Sequence, residues 1–112
     1  MPLVDHAKLL SDAKKSDNQR KKLKSLGALH GLPVALKDII STSEMPTKYG
    51  ARIKLKIKTN LDAKIVELLK KAGAIIMGKT VTCELAFLSP SKTKNPHDYS
   101  RTPGGSSSGS AA

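Results

Sequence analysis

Two stretches of this chain hold residues able to do chemistry: a lysine inside "GLPVALKDII" (31–40) and a run of serines inside "GGSSSGSAA" (104–112). Lys37 has Val34, Ala35 and Leu36 before it and, beyond Asp38, Ile39 and Ile40 after it, so any element that buries the segment draws an ammonium group toward apolar surroundings. Such a charge must be paired or given up. A lysine acts as a general base only when neutral, and with a reference pKa near 10.4 fewer than about one in a thousand is neutral at pH 7. Lowering that value by about three units costs roughly 4 kcal/mol, which a folded core can supply and an exposed loop cannot. Serine hydroxyls are the weak acids such a base activates. The glycines beside them let backbone N–H groups approach a ligand closely. The plain alternatives are a lysine whose stem packs while its amine reaches Asp38 or water, and an ordinary flexible tail.

The elements that must position these residues read as an α/β arrangement. Leu3, Ala7, Leu10 and Ala13 return at helical spacing, and nothing breaks the pattern until Gly27, which predicts a leading helix over 3–25. Its basic run of Arg20, Lys21, Lys22 and Lys24 reads as a solvated face. "PVALKDII" is short, apolar and β-branched, as a buried strand is. "RIKLKIK" (52–58) alternates base and aliphatic with period two, which predicts an edge strand guarded by lysines. In "TNLDAKIVELLKKAGAIIMGKT", Thr59 or Asn60 can cap a helix with Asp62 at its positive end; Ile65, Val66, Leu68, Leu69 and Ala72 form its apolar face, and Gly73 stops it. "AIIMG" then reads as a fully buried strand, and strand, helix and strand at this spacing imply partly parallel pairing. "TCELAFLSP" predicts a short helix or turn ending at Pro90, with loop from there to Pro103.

Composition narrows the classes. At 112 residues the chain is one domain or a piece of one, with 38% hydrophobic and 3% aromatic residues, so its core must come from Leu, Ile, Val and Ala. The formal charge of +11 attracts polyanions, yet only three of the 20 basic residues are arginine (Arg20, Arg52 and Arg101) and stacking aromatics are scarce. That argues against nucleic acid as the main partner, although a basic polyanion-binding module stands as a non-catalytic alternative. Asp5 interrupts the N-terminus and no apolar run is long enough for a signal peptide or membrane span, so the expectation is a cytoplasmic protein without membrane partners. The single cysteine, Cys83, excludes an internal disulfide framework and reads as a small buried residue; neither a metal nor a cofactor is expected.

The blocks "GALHGLPVALKDII", "MPTKYGA", "DAKIVELLKKAGAIIMGKTVTCELAF" and "KTKNPHDYSRTPGGSSSGSAA" follow one another in the order and approximate spacing of the amidase signature family, and from about Leu9 onward the chain resembles it. The resemblance implies the N-terminal part of a mixed-sheet fold with flanking helices, incomplete in this chain. It makes residues 1–112 one partial domain: leading helix 3–25, strand–helix–strand segment 31–88, and loop with Gly/Ser motif 89–112. It also implies hydrolysis of a carboxamide to a carboxylate and ammonia by a Ser, cis-Ser, Lys triad. By position Lys37 matches the base, Ser106 matches the bridging serine after a cis peptide, and Gly104, Gly105 and Ser107 form the supporting loop. The attacking serine belongs to a later glycine-rich motif, so the chain alone is expected to be inactive. The partners implied are a small-molecule amide in the complete enzyme and a complementing C-terminal part. A glutamine-hydrolysing subunit of a tRNA-dependent amidotransferase is the neighbouring reading within the same family. Spacing also permits a self-contained dyad of Lys37 with Ser107, Ser108 or Ser110, provided that oxyanion donors are found locally. The tail has little side-chain mass to hold it, and if left loose would carry an ordinary trans peptide at Ser106.

Overall fold

The computed structural model describes residues 5–22, 25–53 and 60–112. The first helix, α1 (His6–Lys22), starts where the Asp5 carboxylate accepts the Lys8 backbone N–H at 3.0 Å, and it ends on Arg20, Lys21 and Lys22, cations at the negative end of the helix dipole. Its buried side differs from the one the spacing predicts. Leu10 is 63% exposed and Ala7 is exposed, whereas Ser16 is buried, with His30 Nε2 3.0 Å from both its Oγ and its carbonyl oxygen. A polar contact with the loop before the sheet thus decides which face of α1 turns inward.

Strand β1 (Pro33–Lys37) pairs in parallel with β2 (Ile75–Thr80), which follows helix α2 (Lys64–Lys71). This is the strand, helix and strand order expected, with the α/β class and parallel pairing. Pro33 partners Ile75 and Lys37 partners Thr80, with an irregularity after Val34 where Met77 is left over on β2. α2 begins at Ala63, a cap without a side-chain hydrogen bond, and not at Asn60. Asp62 takes a different role: its carboxylate accepts the Ser43 N–H and hydroxyl at 2.7 and 2.9 Å and Lys70 Nζ at 2.7 Å. Gly73 does stop the helix. With φ of +91° it sends its N–H to Lys70 O, and Ala74 sends its own to Leu69 O, closing a Schellman motif.

The hydrophobic core among the described residues is small: Leu36, Val66, Ala74 and Cys83. Val66 is wholly buried, but Ile65 and Leu68 on the predicted apolar face of α2 are exposed. β2 is likewise not buried throughout. Its first residues and Met77 are partly open, and burial falls on Gly78 and Lys79; among the described residues the sheet has two strands, which leaves one edge of each uncovered. In the alternating run 52–58, residues 54–58 lie outside the described residues; Arg52 and Ile53 are exposed and lie in a bend. After β2 a 3₁₀ turn (Glu84–Ala86) accounts for the short helix expected in "TCELAFLSP".

The C-terminal run forms a last helical turn, α3 (Ser108–Ala111), and is seated on the sheet. Gly109 N–H reaches Val81 O, Ser110 Oγ lies 2.8 Å from Thr80 Oγ1, and Ser108, 1% exposed, lies 2.7 Å from Ser91 Oγ. A low-complexity tail would be loose for want of side-chain mass; here backbone and hydroxyl hydrogen bonds to the end of β2 hold it in place. No helix among the described residues is long and apolar enough to cross a membrane.

Candidate active site

Lys37 is the last residue of β1, and the parallel ladder sets it beside Thr80. Paired residues project to the same face of a sheet, so the side of Lys37 is also the side on which Thr80 meets Ser110. There Lys37 Nζ donates to Ser106 Oγ at 2.5 Å, joining residues 69 positions apart in sequence. Both side chains are half-buried, able to exchange a proton and still reachable by a substrate.

Ser106 is held from its backbone. Its carbonyl accepts the Cys83 N–H at 2.9 Å and the Thr82 hydroxyl at 3.0 Å, and the Gly105–Ser106 peptide is cis. Gly105 packs directly on the buried Cys83 thiol, and a Cβ there would come within 2.8 Å of Sγ. Gly104 takes φ of +89°, completing the turn. Of the neighbouring serines, Ser108 faces Ser91 and Ser110 faces Thr80, while Ser107 is exposed and precedes α3 without a side-chain capping hydrogen bond. Among the expected residues the structure therefore brings Lys37 to Ser106, with Gly104 and Gly105 shaping the loop. A cleft of about 350 Å³ opens on Ser106, walled by Cys83, Phe87, Thr102 and Gly105.

A second lysine near this site escaped sequence reasoning. Lys79 is 4% exposed, donates to the Ile40 carbonyl and to Thr47 Oγ1 at 3.1 Å, and lies 4.0 Å from the Asp38 carboxylate. Burial pushes its pKa below the ordinary lysine value, an effect that the negative charge of Asp38 partly offsets. The signal was available, since Lys79 follows the apolar run "AIIMG" much as Lys37 follows "PVAL". Further out, charges of alternating sign tie α1 to α2 through Lys15, Asp12, Lys8, Glu44, Lys70 and Asp62. The hydrogen bond from Lys8 holds Asp12 below the usual carboxylate value. At Asp62, burial alone would raise the carboxyl, but the hydrogen bonds from Lys70 and Ser43 outweigh it and hold it low.

A family model described as amidase matches residues 3–112 of the chain. The chain belongs to the amidase family. Among curated amidase-family relatives, the A subunit of glutamyl-tRNA(Gln) amidotransferase from Chloroflexus aurantiacus is 41% identical over 109 residues, covering 92% of this chain and 22% of its own length. Its namesake from Symbiobacterium thermophilum is 45% identical over 116 residues, covering 97% and 23%. Among solved structures, the peptide amidase from Stenotrophomonas maltophilia superposes with a TM-score of 0.83 at 34% identity, over 96% of this chain and 24% of that one. The A subunit of the glutamyl-tRNA(Gln) amidotransferase from Thermotoga maritima gives 0.69 at 30% identity, over 96% and 29%. The chain thus spans about a quarter of the length of the relatives it matches, and its α/β architecture is part of the amidase fold.

Proposed function

We propose that this chain is the N-terminal segment of an amide-bond hydrolase, supplying the base and the bridging hydroxyl of a Ser, cis-Ser, Lys relay. The observation that carries the reading is the 2.5 Å contact between Lys37 Nζ and Ser106 Oγ. In the reaction Ser106 Oγ takes the proton of an attacking serine while passing its own proton to neutral Lys37 Nζ. The attacking oxygen bonds to the amide carbon, the C–N bond breaks, and the departing nitrogen receives the proton back along the same relay. Water then repeats the sequence on the acyl-serine and releases the carboxylic acid. The attacking serine belongs to a motif after the Gly/Ser block, so residues 1–112 by themselves do not turn over amides.

Two measurements test this. The chain is treated with a serine-reactive fluorophosphonate, and intact mass is read beside a Lys37→Ala control; the expectation is no adduct on folded protein, and a Lys37-dependent adduct would establish a local dyad instead. The chain is then joined to the remaining three quarters of the Stenotrophomonas peptide amidase and assayed for release of ammonia. Lys37→Ala and Ser106→Ala should each lower kcat/KM by about 10²–10⁴-fold, the usual contribution of positioned acid–base groups. Undiminished turnover in Lys37→Ala would overturn the assignment.

A second reading is favoured by the names of the curated relatives, which are A subunits of glutamyl-tRNA(Gln) amidotransferases with 38–45% identity. In it the same relay hydrolyses glutamine and delivers ammonia to a partner. Glutaminase activity of the completed protein that requires partner subunits and charged tRNA would place this reading first.

A further inference from the structure

Lys79 and Lys37 sit one ladder step apart and face opposite ways. Leu36 partners Lys79 and Lys37 partners Thr80 across the parallel pair. Successive strand residues alternate faces, so Lys37 projects to the side of Ser106 and Lys79 to the other. Lys79 therefore works from underneath. Its nearly inaccessible ammonium meets three groups in the segment that leaves β1: the Ile40 carbonyl, the Thr47 hydroxyl and the Asp38 carboxylate. An ammonium has three protons to place, and a buried one is costly unless they are placed.

The same segment is wired into the backbone of Lys37. Ile39 and Ile40 both donate N–H to the Lys37 carbonyl, at 2.8 and 3.0 Å, and the N–H of Asp38 reaches Thr80 O. Ile40 thus holds Lys37 through its N–H and is held by Lys79 through its C=O. Thr47 Oγ1 adds a contact of 3.4 Å to that same carbonyl, and the backbone of Lys48 donates to Asp38 Oδ1 at 3.2 Å. On the other face of the sheet, the described hydrogen bond of the Lys37 amine is the one to Ser106.

We propose that Lys79 is a positioning residue: from the opposite face of the sheet it clamps the Asp38–Thr47 turn to β2 and so keeps the Lys37 amine on the Ser106 hydroxyl. The catalytic meaning of this clamp rests on the proposed hydrolase reading, but its geometry does not, and the test reads geometry alone. In the 112-residue chain the NMR cross-peak between the Lys37 Hε and Ser106 Hβ protons reports the pair directly. Lys79→Met keeps length and apolar stem while removing charge and donors, and it should reduce that cross-peak at least about three-fold with the fold retained. Val66→Ala, a core truncation on α2, serves as a control and should leave the cross-peak intact at comparable loss of stability. Where Lys79→Met fails to fold, Thr47→Val decides, since it removes one acceptor at nearly constant volume and should reduce the cross-peak at least about two-fold. A full-strength cross-peak in folded Lys79→Met, or in Thr47→Val where that variant decides, would overturn the proposal; so would an equal loss in Val66→Ala. If the cross-peak falls as expected while the completed chimaera hydrolyses no amide, the clamp stands and the hydrolase reading fails.

Discussion

The contact between Gly105 and Cys83 offers a test of the geometry that seats Ser106. A Cβ built on Gly105 lies 2.8 Å from Cys83 Sγ, whereas ordinary contact begins near 3.4 Å, so Gly105→Ala forces about 0.6 Å of displacement into a thiol that is itself buried. Gly105 does not occupy the positive-φ region, so alanine meets no backbone penalty there and the cost is the overlap. Overpacking of this kind costs about 1–3 kcal/mol, from which the reduced freedom of alanine in the unfolded chain returns about 0.4–1 kcal/mol. The net expectation is destabilisation centred on about 1.3 kcal/mol, within a span of about 0–2.6 kcal/mol. Cys83→Ala deletes one buried heavy atom and should cost about 1 kcal/mol on its own. In the double variant, however, the new methyl occupies the space vacated by sulfur. The two losses should therefore fail to add, with a coupling of about 1–2 kcal/mol in the compensating direction. Urea unfolding followed by circular dichroism measures all four corners of the cycle. Additivity within about 0.5 kcal/mol would mean that Gly105 and Cys83 are not in contact, and that the Gly104–Ser106 loop is not seated on Cys83 as described.

Further outcomes follow from the same structure. Val66→Ala removes two methyl groups from a wholly buried site and should cost about 2 kcal/mol, while Leu88→Ala, at a position 81% exposed, should stay within about 0.5 kcal/mol; thermal unfolding distinguishes them. Asp62 and Asp12 are held below their ordinary value of 3.8, so their contribution is present above that pH and is lost as pH falls through their lower folded values. Asp62→Asn should accordingly flatten the acid limb of a stability-versus-pH curve, and an unchanged limb would count against the Asp62–Lys70 pairing. Lys79 carries a dependence at the other end of the scale. Its folded pKa lies below the ordinary 10.5, so the unfolded chain binds the extra proton and stability rises with pH between the two values; Lys79→Met should abolish that alkaline rise.

Much of this architecture could be read from residue types. The spacing in "KIVELLKKAG" and the glycine after it marked α2 and its end, and apolar β-branched runs marked β1 and β2, because these signals depend on neighbours a few positions away. The motif blocks likewise pointed to Lys37 and Ser106 and to the amidase family. What local pattern could not reveal is which side of each element faces protein. Leu10, Ile65 and Leu68 look like core residues and are exposed, while Ser16, Thr47 and Lys79 look like surface residues and are buried, since burial is decided by what packs across from a residue. Asp62 reads as a helix-start charge and is instead the partner of Ser43 and Lys70. The tail shows the same division most clearly: its composition describes a linker, and only hydrogen bonds from residues 80–83 and 91, remote in sequence, make it a seated loop. The sequence by itself determined which groups could do chemistry and where the helix and strands around them run. Tertiary structure alone decided that Lys37 meets Ser106 across 69 residues while Lys79 braces the turn from below, because the pairing of β1 with β2 sets Lys79 beside Leu36 and not beside Lys37, and neighbouring strand residues face opposite sides of the sheet.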